Sequence, residues 1–132
     1  LGHTAMIQQE FHVNMGDPAS LDHDGGLIAY TRLKHITIQA WSPFQYGFFE
    51  GVFLDNPKFP ELNKALQRLA DKYHVEKSAI AVAWILRHPA KSQVLLGSMT
   101  PQRLKDMAAG ADVELTAQEW YDLYQAAGND LP

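Results

Sequence analysis

Val94-Leu95-Leu96-Gly97-Ser98-Met99-Thr100-Pro101-Gln102-Arg103 is the stretch on which the fold turns. Its first three residues form a short continuous apolar run, the pattern of a parallel strand buried on both faces. Gly97-Ser98 closes the run. Thr100-Pro101 then supplies an N-cap residue followed by proline at the first helical position, which predicts a helix to about Gly110. Arg103 falls in the first turn of that helix, where the macrodipole is positive and a cation costs roughly a few tenths of a kcal/mol. An anion would offset that cost. A small residue, a hydroxyl, helix-start N–H groups and a guanidinium together make a phosphate site. The same residues also read as an ordinary capped helix carrying a solvated arginine, because such strand-to-helix junctions are common.

Upstream, Ile36-Thr37-Ile38-Gln39-Ala40-Trp41 alternates and is β-branched, so it predicts a second strand, which Ser42-Pro43 ends because proline has no N–H for a ladder. Before it, Leu27, Ile28, Tyr30 and Leu33 suit a short helix ending near Lys34-His35, and residues 1–26 read mostly as loop. From Pro43 to Pro60 the chain is long, aromatic and irregular, and loops of this length are usually functional or disordered. A helix carrying Leu62, Leu66, Leu69, Ala70 and Tyr73 follows. The next has an apolar stripe at Ala79, Val82, Ala83 and Leu86 and ends at Arg87-His88-Pro89. At the far end, Thr116-Ala117-Gln118-Glu119 is a capping box with Leu115 and Trp120 as its staple, and Gly128 is the stop. Strands separated by helices mean parallel strands and an α/β fold. Two parallel strands alone leave two open edges, so the chain reads as an incomplete fold able to self-associate.

Composition narrows the function. Eleven Lys+Arg against fifteen Asp+Glu give a net charge of −4 with no basic block, which argues against nucleic acid. No apolar run reaches the roughly 18–20 residues that cross a bilayer, and residues 1–9 lack a signal-peptide pattern, so the expected location is cytoplasmic. Without cysteine there is no disulfide, thiolate nucleophile or Cys-based zinc site. The six histidines show no H-x-x-x-H pair, and no metal site is expected. Asp22-His23-Asp24-Gly25 reads as a turn rather than a calcium loop.

The segment around Arg103 resembles the eighth-strand signature of aldo-keto reductases, in which an apolar strand, Ser/Thr and T-P-x-R-L open the next helix. Ile38 to Phe44 is similar to that family's seventh strand, and Glu61 to Pro89, especially A-I-A-V-A-W-I-L-R over Ala79 to Arg87, to the helix pair between them. The three segments are in order and correctly spaced, so residues 1–132 are expected to be the C-terminal part of one (β/α)8 barrel domain, its last two strands with their helices. The resemblance implies NADP(H)-dependent reduction of a small carbonyl substrate at the C-terminal ends of the strands. Trp41 matches the aromatic that stacks on the nicotinamide. Ser42, Pro43 and Phe44 match the turn along the pyrophosphate and ribose, with Phe44 replacing a usual Leu. Ser98 and Arg103 match the ligands of the adenosine 2′-phosphate. Gly97 stands where many members have a phosphate-binding Lys, which loosens the expected preference for NADP over NAD. Met107 takes the place of an adenine-contacting Asn.

The family's Asp, Tyr, Lys and His tetrad lies on its first four strands and has no counterpart here, so no catalytic residue is assigned. None of Tyr30, Tyr46, Tyr73, Tyr121 and Tyr124 sits at a strand end beside a Lys and a His, as a proton donor would. Two functions follow. One is a portion of an NADP-dependent oxidoreductase whose catalytic acid lies elsewhere. The other is a non-catalytic remnant that binds nucleotide weakly or associates with another chain.

Overall fold

The structure, a computed structural model, describes residues 26–46 and 51–130. The expectations for residues 1–25, including the Asp22–Gly25 turn, and for Phe48 and Phe49 lie outside them. In chain order the elements are α1 (Gly26–Leu33), β1 (Gln39–Ala40), α2 (Pro60–Tyr73), α3 (Lys77–Leu86), β2 (Gln93–Val94), α4 (Pro101–Ala108), a 3-10 turn (Ala109–Asp112) and α5 (Ala117–Ala126).

The two strands are adjacent and parallel, with Gln39 opposite Gln93 and Ala40 opposite Val94. Gln93 N–H donates to Ile38 O at 2.8 Å and Leu95 N–H to Ala40 O at 2.9 Å, the slanted pattern of a parallel ladder. Both strands are shorter than the apolar runs that predict them. Ile36 and Leu95 are about half exposed, because among the described residues each strand has only the other as a neighbour and the ladder reaches only where the two overlap.

The helices between them are set by their ends. Pro60 opens α2, and His74, left-handed at φ 55°, closes it by donating its N–H to Ala70 O. Such a φ is uncommon outside glycine. Leu62, Leu66, Leu69 and Ala70 form the buried face of α2. In α3 the expected stripe is too narrow. All of Ala79 to Ile85 is buried, as for a helix enclosed on every side. Its three alanines in that run, Ala79, Ala81 and Ala83, leave room for α2 and the 3-10 turn to pack closely. The predicted end of α4 at Gly110 also shifts: the α-helix stops at Ala108 and tightens into the 3-10 turn, inside which Gly110 is buried.

The capping box forms as the sequence predicts, with the Thr116 hydroxyl accepting from Glu119 N–H and Glu119 returning the bond to Thr116 N–H. Gly128 follows the helix at φ 89°. Glu119 does more than cap. Its buried carboxylate receives Lys72 Nζ at 2.6 Å, Tyr73 OH at 2.8 Å, Thr116 N–H at 2.8 Å and the Thr116 hydroxyl at 3.0 Å. Burial pushes its pKa up, but these donors together, Lys72 foremost, outweigh it and hold the group at about 2, down from 4.5.

A pH prediction follows. Because the folded pKa lies below the unfolded one, the stabilisation is fully present above about pH 4.5 and is lost as pH falls toward 2. Glu119→Gln is expected to cost about 1–2 kcal/mol at neutral pH and to flatten the pH dependence of stability in that acid window. Denaturant midpoints of wild type and variant between pH 2 and 7 check this. Parallel pH profiles for the two proteins would contradict it.

Between β1 and α2 the described aromatic residues pack inward. Phe53 and Tyr46 are buried, with Tyr46 edge-on to Phe59 at 4.9 Å and Phe44 edge-on to Phe53 at 6.4 Å. Asn63 of α2 ties the loop down. Its amide donates to Phe53 O at 2.7 Å and Phe59 O at 2.9 Å, and its carbonyl accepts from Asp55 N–H at 2.7 Å.

Candidate cofactor-phosphate site

Parallel pairing puts the residues that follow β1 and β2 at one end of the sheet, so Trp41-Ser42-Pro43-Phe44 and Gly97-Ser98 leave the strands on the same side. Trp41 is 42% exposed, enough of its ring standing clear to meet a flat ligand. Ser42 then takes a left-handed conformation, φ 49°, and a turn forms in which Gln45 N–H donates to Ser42 O at 3.1 Å. Pro43 fills the second position of that turn, where its fixed φ is favourable. Pro43 is buried and Phe44 half-buried. The Phe44 ring packs on the core beside Phe53, so this residue offers a ligand its backbone more than its ring.

At β2 the geometry is more open. A Cβ added to Gly97 would meet nothing within 4 Å, so the space a longer side chain would fill is free. The Ser98 hydroxyl accepts from Thr100 N–H at 3.2 Å. Thr100 is the N-cap of α4, as predicted, but its own side chain makes no capping bond, because the turn closes through Ser98 instead. Pro101 has no N–H to satisfy, and Leu104 N–H donates to Thr100 O. The Gln102 and Arg103 N–H groups therefore remain without a protein acceptor among the described residues, a standing invitation to an anion.

Arg103 is exposed and pairs with no carboxylate among the described residues, although Asp106 lies one turn along. That carboxylate instead accepts from Gln102 Nε2 at 2.7 Å. Met107 is 5% exposed, so it faces inward and cannot take the adenine-contacting role of the Asn it replaces.

A groove of about 510 Å³ between the α2–α3 turn and α4 includes His74, Lys105 and Asp106, and one of about 310 Å³ lies beside α5. Neither is lined by Trp41, Ser98 or Arg103. A phosphate needs converging donors more than enclosure.

Among the described residues no three His, Asp or Glu side chains are placed to hold a metal ion, and no helix is long and apolar enough to cross a membrane.

The described residues thus form a parallel strand pair joined by a helical crossover, with the start of α4 and the Arg103 guanidinium near the C-terminal end of the pair. The sequence profile of the Aldo/keto reductase family matches residues 3–127, and the chain belongs to that family of oxidoreductases. It is 35% identical over 103 residues to a 6-dehydroglucose reductase of Agrobacterium fabrum, covering 77% of this chain and 33% of that protein. A 6-dehydroglucose reductase of Novosphingobium aromaticivorans is 27% identical over 110 residues, 83% of this chain and 36% of its own length. The chain thus spans about a third of the length of these curated relatives.

Proposed function

We propose that this segment is the cofactor-phosphate end of an NADP(H)-dependent carbonyl reductase. The observation that carries the reading is Arg103, exposed and, among the described residues, without a carboxylate partner, in the first turn of a helix whose N-cap side chain makes no capping bond. Arg103, the Ser98 hydroxyl and those N–H groups hold the 2′-phosphate. The exposed Trp41 ring lies against the nicotinamide, and the Ser42–Phe44 turn runs along the ribose and pyrophosphate. The bound dinucleotide supplies the hydride. The proton donor comes from strands outside this segment, as part of a (β/α)8 barrel. The half-exposed Leu27, Tyr30, Ile36 and Leu95 support that architecture, since further strands and helices would cover them. Both relatives carry the name 6-dehydroglucose reductase, which makes an oxidised sugar the first carbonyl substrate to assay.

The test is a titration of both cofactors against the full-length protein. Arg103→Ala should remove a charge-assisted pair worth roughly 1.5–3 kcal/mol, so NADPH binds about tenfold or more weakly while NADH barely changes. Equal loss for the two cofactors, or loss for neither, would defeat the assignment.

A further inference from the structure

We propose that the groove beside α5, walled by Trp120, Tyr121, His88 and Pro89 and headed by Arg87, is a binding site for a small planar aromatic carboxylate. It lies at the end of β2 opposite to Ser98, since His88 and Pro89 precede that strand. Its volume of about 310 Å³ accommodates one or two rings.

The walls are rigid for reasons visible in the packing. Trp120 stacks on Trp84 with ring centroids 4.6 Å apart and planes 6° from parallel, and both indole N–H groups are bound to backbone carbonyls. Tyr121 stands at 84° to Trp120 with centroids 5.0 Å apart, so the two rings make a right-angled corner. Tyr121 is 47% exposed there. A flat ring set into that corner meets one aromatic face-on and the other edge-on, the two favourable aromatic geometries.

The polar end is equally prepared. Arg87 Nε donates to Leu115 O at 2.9 Å, which fixes the guanidinium and leaves its two terminal nitrogens, without partners among the described residues, as a fork matching a carboxylate. His88 Nδ1 accepts from Ala90 N–H at 3.1 Å, so the neutral ring carries its proton on Nε2 as a third donor. Burial, with help from the nearby Arg32 charge, pushes its pKa down and keeps it neutral. Among the described residues no Asp or Glu lines the groove, although the chain as a whole is acidic. An apolar ligand would leave the guanidinium desolvated and unpaired. An inorganic anion would leave the aromatic corner uncovered. An aromatic carboxylate satisfies both.

Benzoate is the probe, titrated calorimetrically against the full-length protein, with benzyl alcohol as its neutral counterpart. Benzoate should bind in the millimolar range or tighter, and benzyl alcohol about tenfold more weakly for want of the charged pair. Arg87→Met should reduce benzoate affinity to the level of the alcohol. Because that variant also gives up the bond to Leu115, Ala117→Leu serves as the second. It fills the groove from the exposed first turn of α5, leaves Arg87 intact, and should abolish binding of both compounds. Saturating NADPH should leave benzoate affinity unchanged, a result that holds whether or not the Arg103 assignment stands. Absence of benzoate binding to the wild-type protein, equal affinity for the alcohol, retained affinity in Ala117→Leu, or displacement by NADPH would each overturn the proposal.

Discussion

Trp84→Ala is expected to cost about 3–5 kcal/mol, the range for truncating a buried Trp, and to be among the most damaging single substitutions in this segment. Trp84 is 4% exposed in the last turn of α3, the helix enclosed on all sides. Its Nε1–H donates to Trp120 O at 3.0 Å while Trp120 Nε1–H donates back to Trp84 O at 2.9 Å. This reciprocal clamp locks α3 to α5 across 36 residues of sequence. Alanine keeps the Trp84 carbonyl and so preserves one of the two bonds. It removes the other, the stacked ring, and the filler of a large volume that rigid helices cannot collapse into. Trp84→Phe separates the contributions, because it restores much of the ring while still lacking the donor, and should cost about 1–2 kcal/mol. Urea midpoints of the full-length variants provide the measurement. A loss below about 1 kcal/mol for the alanine variant would mean that α5 docks on α3 by other contacts.

The sequence reveals those features whose cause is local. The capping box at Thr116 and Glu119 needs only four consecutive residues, and it forms as read. The strand–Gly–Ser–x–Thr–Pro junction is local too, so the start of α4 and the exposed position of Arg103 are visible without any structure. The roles of Trp41 and the Ser42–Phe44 turn come from family resemblance alone, because an aromatic residue after a strand carries no chemical signature of its own. What escapes the sequence depends on partners far along the chain. Glu119 looks like a cap and is also the acceptor for Lys72 and Tyr73, 47 and 46 residues away. Asn63 looks like an unremarkable polar residue of a helix and is the tether of the preceding loop. The strands are the opposite case. Their patterns extend beyond the observed ladder because apolar patterning records the faces a strand is built to cover, whereas hydrogen bonding records only the neighbours it has.

Gly110→Ala is the second large effect expected, and it concerns a residue whose sequence context marks it as a mere helix stop. A Cβ built on Gly110 would lie 2.3 Å from Ala79 O, 2.9 Å from Val82 Cβ and 3.1 Å from Ala83 N. The closest of these is a backbone oxygen of α3, which no rotamer change can move aside. The glycine is there because the 3-10 turn and α3 approach backbone to backbone, and the alanines of α3 provide the matching hollow. Adding one methyl must push the turn off the helix, and the cost is expected at the upper end of the overpacking range, about 3 kcal/mol. Gly97→Ala makes the same chemical change where nothing lies within 4 Å and φ is not left-handed. It should therefore leave stability unchanged or raise it by roughly 0.4–1 kcal/mol, through the reduced freedom of the unfolded chain. Comparing the two variants by thermal or urea unfolding isolates the close approach from any general effect of losing a glycine. If Gly110→Ala unfolds at the same point as Gly97→Ala, the turn and α3 are not in backbone contact and the packing described for this end of the molecule is wrong.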